Sequence, residues 1–392
     1  MLFVLFLLLF ASTAYGRRQT RAAVNENNYP ERLWQKDRPI PFKFSDDIPE
    51  KDRRNVRLVI RSIEQNSCLK FAEVSNANET TIFFKNGTKC LSMQIGKDTS
   101  IRLYPIELGE YCRRDYDYFF ILVRTLGLCG GHQRPDRNGY VIYDENNTNP
   151  NSRQYFDKVS FWDCKDFGVP YDFDSVLHYP PDWFTINESK PNLIAKDPLH
   201  QYGMGRNTGP AHSDYLLLNR LYKCPDNCAY AKTKCENSGF VNPNNCQWCI
   251  CPRGFAGAFC ERLDYDGHKD KNCGGYLDAI GSWQELSVER GENQNNISCY
   301  WFLRASQGKD VEIQLVTVAP ENKRCTANTN TWLEVRLGTF EIGGYKFYCT
   351  DQLPKRILRS SGIRTYFIRR RAPWYNGYQG NGENTYVHVT FV

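Results

Sequence analysis

The sequence predicts a chain of mixed α+β character divided into three parts. Three observations carry that expectation: uneven cysteine density, apolar spacing that changes between helical and strand periods, and a short polar stretch near residue 265. Of 16 cysteines in 392 residues, six are spread over 22–224, six crowd into 225–261, and four lie in 262–392. The length suits two or three domains. The middle block has too few apolar residues for a core, so its crowded disulfides must carry its stability. The polar piece Asp264 to Lys271 within 262–272 reads as a linker into the last part, 273–392.

Taken in order, residues 1–16 read as a signal peptide. The apolar run Leu2 to Ala11 is too short to span a membrane, and Ala14 and Gly16 supply small residues for cleavage. No later stretch is apolar and long enough to span. Residues 17–21 form a short basic segment in which Arg18 and Arg21 make an R-x-x-R convertase site. Loss of Arg17, Arg18 and Arg21 lowers the formal charge of +6 by three, which is no nucleic-acid signature. An even cysteine count and five glycan sequons, at Asn78, Asn86, Asn146, Asn187 and Asn296, fit a secreted, extracellular protein.

In 22–224, Val56, Val59, Ile60 and Ile63 recur at helical spacing after Pro49. Thr81 to Phe84 and Ile101 to Tyr104 read as strands. By pattern alone, the aromatic and β-branched run Tyr118 to Val123 reads as a buried strand.

The stretch from Phe120 to Arg137 carries Gly127, Gly130, and then Arg134-Pro-Asp-Arg137. In gapless register this resembles the site of the astacin-type metzincin peptidases, H-E-x-x-H-x-x-G-x-x-H followed by R-x-D-R. In that family the histidines hold zinc and the glutamate is the general base. The register sets the ligand positions at Phe120, Arg124 and Gly130 and the glutamate position at Ile121, and it makes Tyr118 to Val123 a helix. Trp34 to Phe44 resembles the start of the mature family domain. Ser175-Val-Leu-His-Tyr179 resembles the Met-turn, with Leu177 for the methionine and His178 and Tyr179 retained. Gly131 stands where the family places a glutamate that receives the mature amino terminus. The fold the resemblance implies is the two-lobed metzincin type.

The same resemblance implies disulfides Cys68–Cys224 and Cys90–Cys112, which leaves Cys129–Cys164. Closing a loop of about 156 residues at Cys68–Cys224 stabilises by about 4 to 5 kcal/mol in the chain-entropy model. Cys228, Cys235, Cys246, Cys249, Cys251 and Cys260, with the ending Cys-Pro-Arg-Gly-Phe-Ala-Gly-Ala-Phe-Cys, resemble an EGF-like module; six cysteines leave fifteen connectivities open. Residues 273–392 resemble an all-β CUB sandwich with Cys273–Cys299 and Cys325–Cys349. Thr331 occupies the position of an Asp that binds calcium in many CUB domains, so calcium is not expected.

Chemically, Phe120 and Ile121 offer no lone pair, Gly130 has no side chain, and the Arg124 guanidinium stays protonated. At about 4 Å and an effective dielectric near 20, its repulsion from a divalent ion is on the order of 8 kcal/mol. The six histidines, His132, His178, His200, His212, His268 and His388, include no pair at helical ligand spacing, and no G-x-S-x-G occurs. The expectation is therefore a secreted homologue without a catalytic residue, metal or cofactor. Its partners would be extracellular proteins or peptides, met through the cleft (with an edge strand near Ser100 to Tyr104) or through the two later modules. Zinc and endopeptidase activity belong to the alternative reading. The cluster Lys355, Arg356, Arg359, Arg364, Arg369, Arg370 and Arg371 could meet a polyanion.

Overall fold

A computed structural model describes residues 23–92, 94–206, 209–264, 274–288, 298–318, 331–360, 364–371 and 387–391. The expected leader 1–16, the basic segment 17–21, most of the linker 262–272, Cys273, Cys325, Asn296 and His268 lie outside the described residues. So do the side chains of Thr331, Arg364, Arg369, Arg370, Arg371 and His388.

In chain order the first part holds β1 (Ala23–Val24), β2 (Ile40–Phe44), α1 (Glu50–Gln65), β3 (Phe71–Glu73), β4 (Thr81–Asn86), β5 (Cys90–Ser92), β6 (Leu103–Leu108), α2 (Asp115–Thr125), β7 (Val141–Tyr143), β8 (Cys164–Lys165), β9 (Leu193–Ala195) and α3 (His212–Leu221). Five strands form a sheet in the order β3-β2-β4-β6-β5, parallel except for β5. Helix α1 buries Val56, Val59, Ile60 and Ile63, each stabilising by about 1.5–3 kcal/mol when fully buried. Strand β1 pairs with β8, and its Val24 N–H donates to the Gly127 carbonyl.

The expected strand at Ile101 to Tyr104 is corrected in extent and position. It starts at Leu103, runs to Leu108, and lies inside the sheet, with Tyr104, Ile106 and Leu108 alternating into the core. Pro105 lies beyond the stretch paired with β5, so its missing N–H removes no bond to that strand. On the side of the sheet next to β6 the edge strand is β5, which covers β6 from Ile106 to Leu108, while Leu103 to Pro105 pair with β4 alone.

The run Tyr118 to Val123, a strand by pattern, is helical within α2. Tertiary packing overrides its β-propensity, because Tyr118, Ile121, Leu122 and Thr125 fall at helical spacing and are all buried. Asp115 and Asp117 favour the helix start, where the Asp117 carboxylate accepts the Arg114 backbone N–H at 3.0 Å. Gly127, at φ +103°, ends the helix. Its N–H donates to the Arg124 carbonyl and the Leu128 N–H to the Val123 carbonyl, a Schellman closure that favours glycine.

Disulfides tie Cys68 to Cys224, Cys90 to Cys112, and Cys129 to Cys164. In the middle part, β10 (Phe240–Val241) pairs with β11 (Cys249–Ile250), and β12 (Phe255–Ala256) with β13 (Arg262–Leu263). Of the fifteen connectivities the structure has Cys228–Cys246, Cys235–Cys249 and Cys251–Cys260. The last part contains β14 (Gly274–Asp278), β15 (Gln284–Val288), β16 (Ser298–Arg304), β17 (Glu312–Val318), β18 (Thr331–Arg336), β19 (Tyr345–Phe347), β20 (Leu358–Arg359), β21 (Arg364–Arg371) and β22 (Val387–Phe391). They form sheets β14-β16-β21-β18-β19 and β15-β22-β17-β20, which share a core that includes Trp301, Leu303, Ile313, Leu333 and Val335. The last part packs on the first through Lys346 Nζ to Asp174 (2.6 Å) and the Tyr345 hydroxyl to Asp197 (2.7 Å). Among the described residues no helix is long and apolar enough to cross a membrane.

Candidate functional site

Helix α2 presents Tyr116, Phe120 and Arg124, four residues apart, along one face. Opposite stand Tyr155, Tyr179, Trp183 and Phe184, and together these groups line a cavity of about 470 Å³. The walls are mostly aromatic. Phe120 stacks on Tyr179 with ring centroids 6.0 Å apart and 24° between planes, Tyr116 lies 6.1 Å from Phe120, and Trp183 lies 4.9 Å from Tyr179. Strand β5 contributes Cys90 and Ser92 to the rim.

The positions that the sequence register assigns to a zinc site meet here. Phe120 and Arg124 are half-buried, Ile121 packs into the core beneath, and the Gly130 backbone borders the floor. A Cβ at Gly130 would stand 3.0 Å from Gln133 Oε1 and from His132 Cε1. Arg124 Nη1 donates to Gln133 Oε1 at 3.3 Å, and among the described residues no carboxylate pairs with this guanidinium. Burial lowers its affinity for the proton. Burial also pushes the Tyr179 hydroxyl up to about 12, against the pull of Arg124.

Both histidines near the floor are committed to the protein. His132 Nδ1 accepts the Tyr179 backbone N–H at 3.3 Å, so its Nε2–H donates to the Tyr155 carbonyl at 3.1 Å. The His132 ring stacks on Tyr179 at 3.8 Å. His178 Nδ1–H donates to the Tyr179 carbonyl at 2.8 Å, and Nε2 accepts from the Tyr171 hydroxyl at 2.6 Å. Burial holds His132 well below the usual imidazole value and His178 at about 4, so both are neutral near pH 7. Gly131 sits against His178, where a Cβ would come within 2.9 Å of the ring. Leu177 is buried in the core.

The R-x-D-R segment has a structural part. Arg134 holds Asp136 through two bonds of 2.9 and 3.0 Å, and Arg137 donates to the His132 carbonyl at 2.7 Å and to the Phe156 carbonyl. It fixes the turn that carries His132 behind α2.

Zinc needs three or four nitrogen, sulfur or oxygen ligands with open lone pairs. An aromatic ring, a guanidinium and a glycine provide none, and the two adjacent imidazoles already use both nitrogens. The residues present do not fit zinc. Among the described residues no group of three or more His, Cys, Asp or Glu side chains is placed to hold a metal ion.

Sequence reasoning missed Tyr116, Gln133, Tyr155, Trp183 and Phe184 as cleft residues. Tyr116 carried a usable signal, since it lies one helical turn before Phe120. The others come from short 3-10 turns (Gln133, Tyr155) and a loop (Trp183, Phe184) whose course no local pattern reveals. Of the sequons, Asn78, Asn146 and Asn187 are exposed. The Asn86 amide donates to the Asp47 carbonyl at 2.8 Å and its oxygen accepts from Arg113. Arg359 of the basic cluster pairs with Glu312 at 2.6 Å.

A family model described as Astacin, a peptidase family, matches residues 26–223. Zinc metalloproteinase nas-27 of Caenorhabditis elegans is 30% identical over 354 residues, covering 86% of this chain and 80% of that protein. Zinc metalloproteinase nas-28 of the same organism is 30% identical, covering 88% and 69%. Among solved structures, high choriolytic enzyme 1, a hatching enzyme zinc-protease from Oryzias latipes, matches at 22% identity with a TM-score of 0.44, covering 49% of this chain and 95% of that one.

Proposed function

The chain belongs to the astacin family of peptidases, and we propose that it is a secreted member that binds partners without cutting them. One observation carries this reading: at the ligand and general-base positions stand Phe120, Arg124, Gly130 and Ile121, and His132 and His178 have no nitrogen to spare. A fold carries no activity without its site. In this reading residues 1–16 are a signal peptide, 228–260 an EGF-like module and 273–392 a CUB domain. The support is the cysteine spacing, the disulfide-rich composition, the sequons, and two sheets over a common core. The partners are extracellular proteins or peptides, met through the aromatic cleft and the two later modules, with a polyanion at Arg369, Arg370 and Arg371 as a further contact.

The second reading is a zinc metalloendopeptidase, favoured by the names of the relatives. The test is a two-part assay on the secreted protein: hydrolysis of an unstructured protein substrate with zinc supplied, and inhibition of an active astacin-family protease on the same substrate. The binding reading expects no hydrolysis and slower turnover by the active relative. Unchanged turnover at saturating protein sinks the decoy role, and chelator-sensitive hydrolysis establishes the enzyme.

A further inference from the structure

The cleft has a chemical polarity that its aromatic lining alone does not explain. A guanidinium offers five N–H donors. Arg124 uses one, toward Gln133, and the rest of the group lies at the cleft floor with no carboxylate against it among the described residues. The acidic side chain on the cleft wall, Asp117, is engaged by Arg114 through bonds of 2.9 and 3.0 Å. Lys89 at the rim adds positive charge. Among the described residues the buried Tyr116 hydroxyl has no hydrogen-bond partner. The cleft is thus a cavity with aromatic walls and, among the described residues, a cation at its base that no carboxylate compensates, and its volume of about 470 Å³ falls in the range of small-ligand sites.

We propose that the cleft binds a carboxylate carried on an aromatic or apolar group, as at the free carboxy terminus of a peptide ending in phenylalanine, with Arg124 as its counter-ion. This rests on the reading that the cleft binds and does not cut. The fork of a guanidinium matches a carboxylate with two parallel bonds, and desolvation among aromatic rings strengthens such a pair. The side chain next to that carboxylate packs against Phe120, Tyr179 and Trp183. A multiply charged anion without an apolar body leaves those rings unfilled.

The test is titration calorimetry on the full secreted chain with an N-acetylated tripeptide ending in phenylalanine, its carboxy-terminal amide, and 3-phenylpropionate. The acid is expected to bind about ten- to a hundredfold more tightly than the amide, a range set by charge-assisted hydrogen bonds. Arg124→Gln should erase that difference, and Arg124→Lys, which keeps the charge but loses the fork, should retain part of it. A thermal melt of each variant reports folding. Equal binding of acid and amide overturns this inference and leaves the cleft-binding reading standing. Silence from all three ligands overturns both, and cleavage of the peptide in the presence of zinc overturns the reading beneath them.

Discussion

Replacing Arg124 with methionine should make the protein more stable while abolishing the proposed carboxylate binding. The wild-type guanidinium is half-buried among aromatic rings, and its only partner among the described residues is the neutral Gln133 oxygen at 3.3 Å. A fully buried, unpaired ion costs several kcal/mol. Opening toward the cleft reduces that penalty to a fraction of it, and losing one hydrogen bond forfeits about 0.5–1.5 kcal/mol. Gln133 keeps its amide bond to the Tyr155 carbonyl at 3.2 Å, while its oxygen can turn to water in the cavity. Methionine matches the length of the arginine stem and packs well against aromatic rings. The net expectation is a gain of about 1 kcal/mol, or about 2–4 °C in the unfolding midpoint for a unit of this size. Urea unfolding followed by tryptophan fluorescence at pH 7, with disulfides intact, reads it. A loss of more than about 1 kcal/mol would mean that the folded protein gives Arg124 an anionic partner, and the reasoning would fail.

Further outcomes follow from other sites. Gly131→Ala sets a methyl 2.9 Å from the His178 ring and should cost about 1–3 kcal/mol by overpacking; an unchanged unfolding midpoint would contradict this. Lys346→Met leaves Asp174 buried without its 2.6 Å partner and should cost about 3–5 kcal/mol, seen as earlier unfolding or faster proteolysis of the last part. His132, His178, His200 and His212 all have proton affinities lowered by burial, the last three to about 4. Each contributes stability that is present above the unfolded imidazole value and lost as pH falls through the folded one. Burial raises Asp172 to about 7, Asp214 to about 6, and Asp174 in the same direction, and these contribute the opposite slope. Four imidazoles outweigh three carboxylates, so the protein should be less stable at pH 4.5 than at pH 7, and equal or greater stability at pH 4.5 would refute the balance.

What could be read in the sequence divides along physical lines. The α1 face was legible because Val56, Val59, Ile60 and Ile63 repeat at the period of a helix that buries one side. Helix α2 was not legible from pattern, because Tyr118 to Val123 has strand composition and owes its helical state to packing. Its boundaries left local marks in Asp115, Asp117 and Gly127. The family resemblance, through its register for Phe120, Arg124 and Gly130 and its Met-turn for Tyr179, brought these residues to one place, and the structure has them around one cavity. The strand's extent was misread because Ile101 to Tyr104 shows only the start of an alternation that continues through Pro105 to Leu108, and the short β5 beside it left no mark in the pattern. The roles of His132 and His178 were hidden for a different reason: three of their four hydrogen bonds run to backbone groups of Tyr155 and Tyr179 and the fourth to the Tyr171 hydroxyl, and side-chain identity says nothing about the backbone ones. Trp183 reaches the cleft from a loop and Tyr155 from a 3-10 helix, Pro150–Phe156, and tertiary structure alone decides where both lie.

The measurement that bears most directly on the central claim is metal content by mass spectrometry on the full chain, produced in a secretory host, purified without chelator and dialysed against trace zinc. Near-zero zinc per chain is the expected result, because the cleft floor offers carbon, a cation and two committed imidazoles where a metal needs lone pairs. About one zinc per chain, retained on dialysis and removed by a strong chelator, would contradict the account and return the protein to the working peptidases.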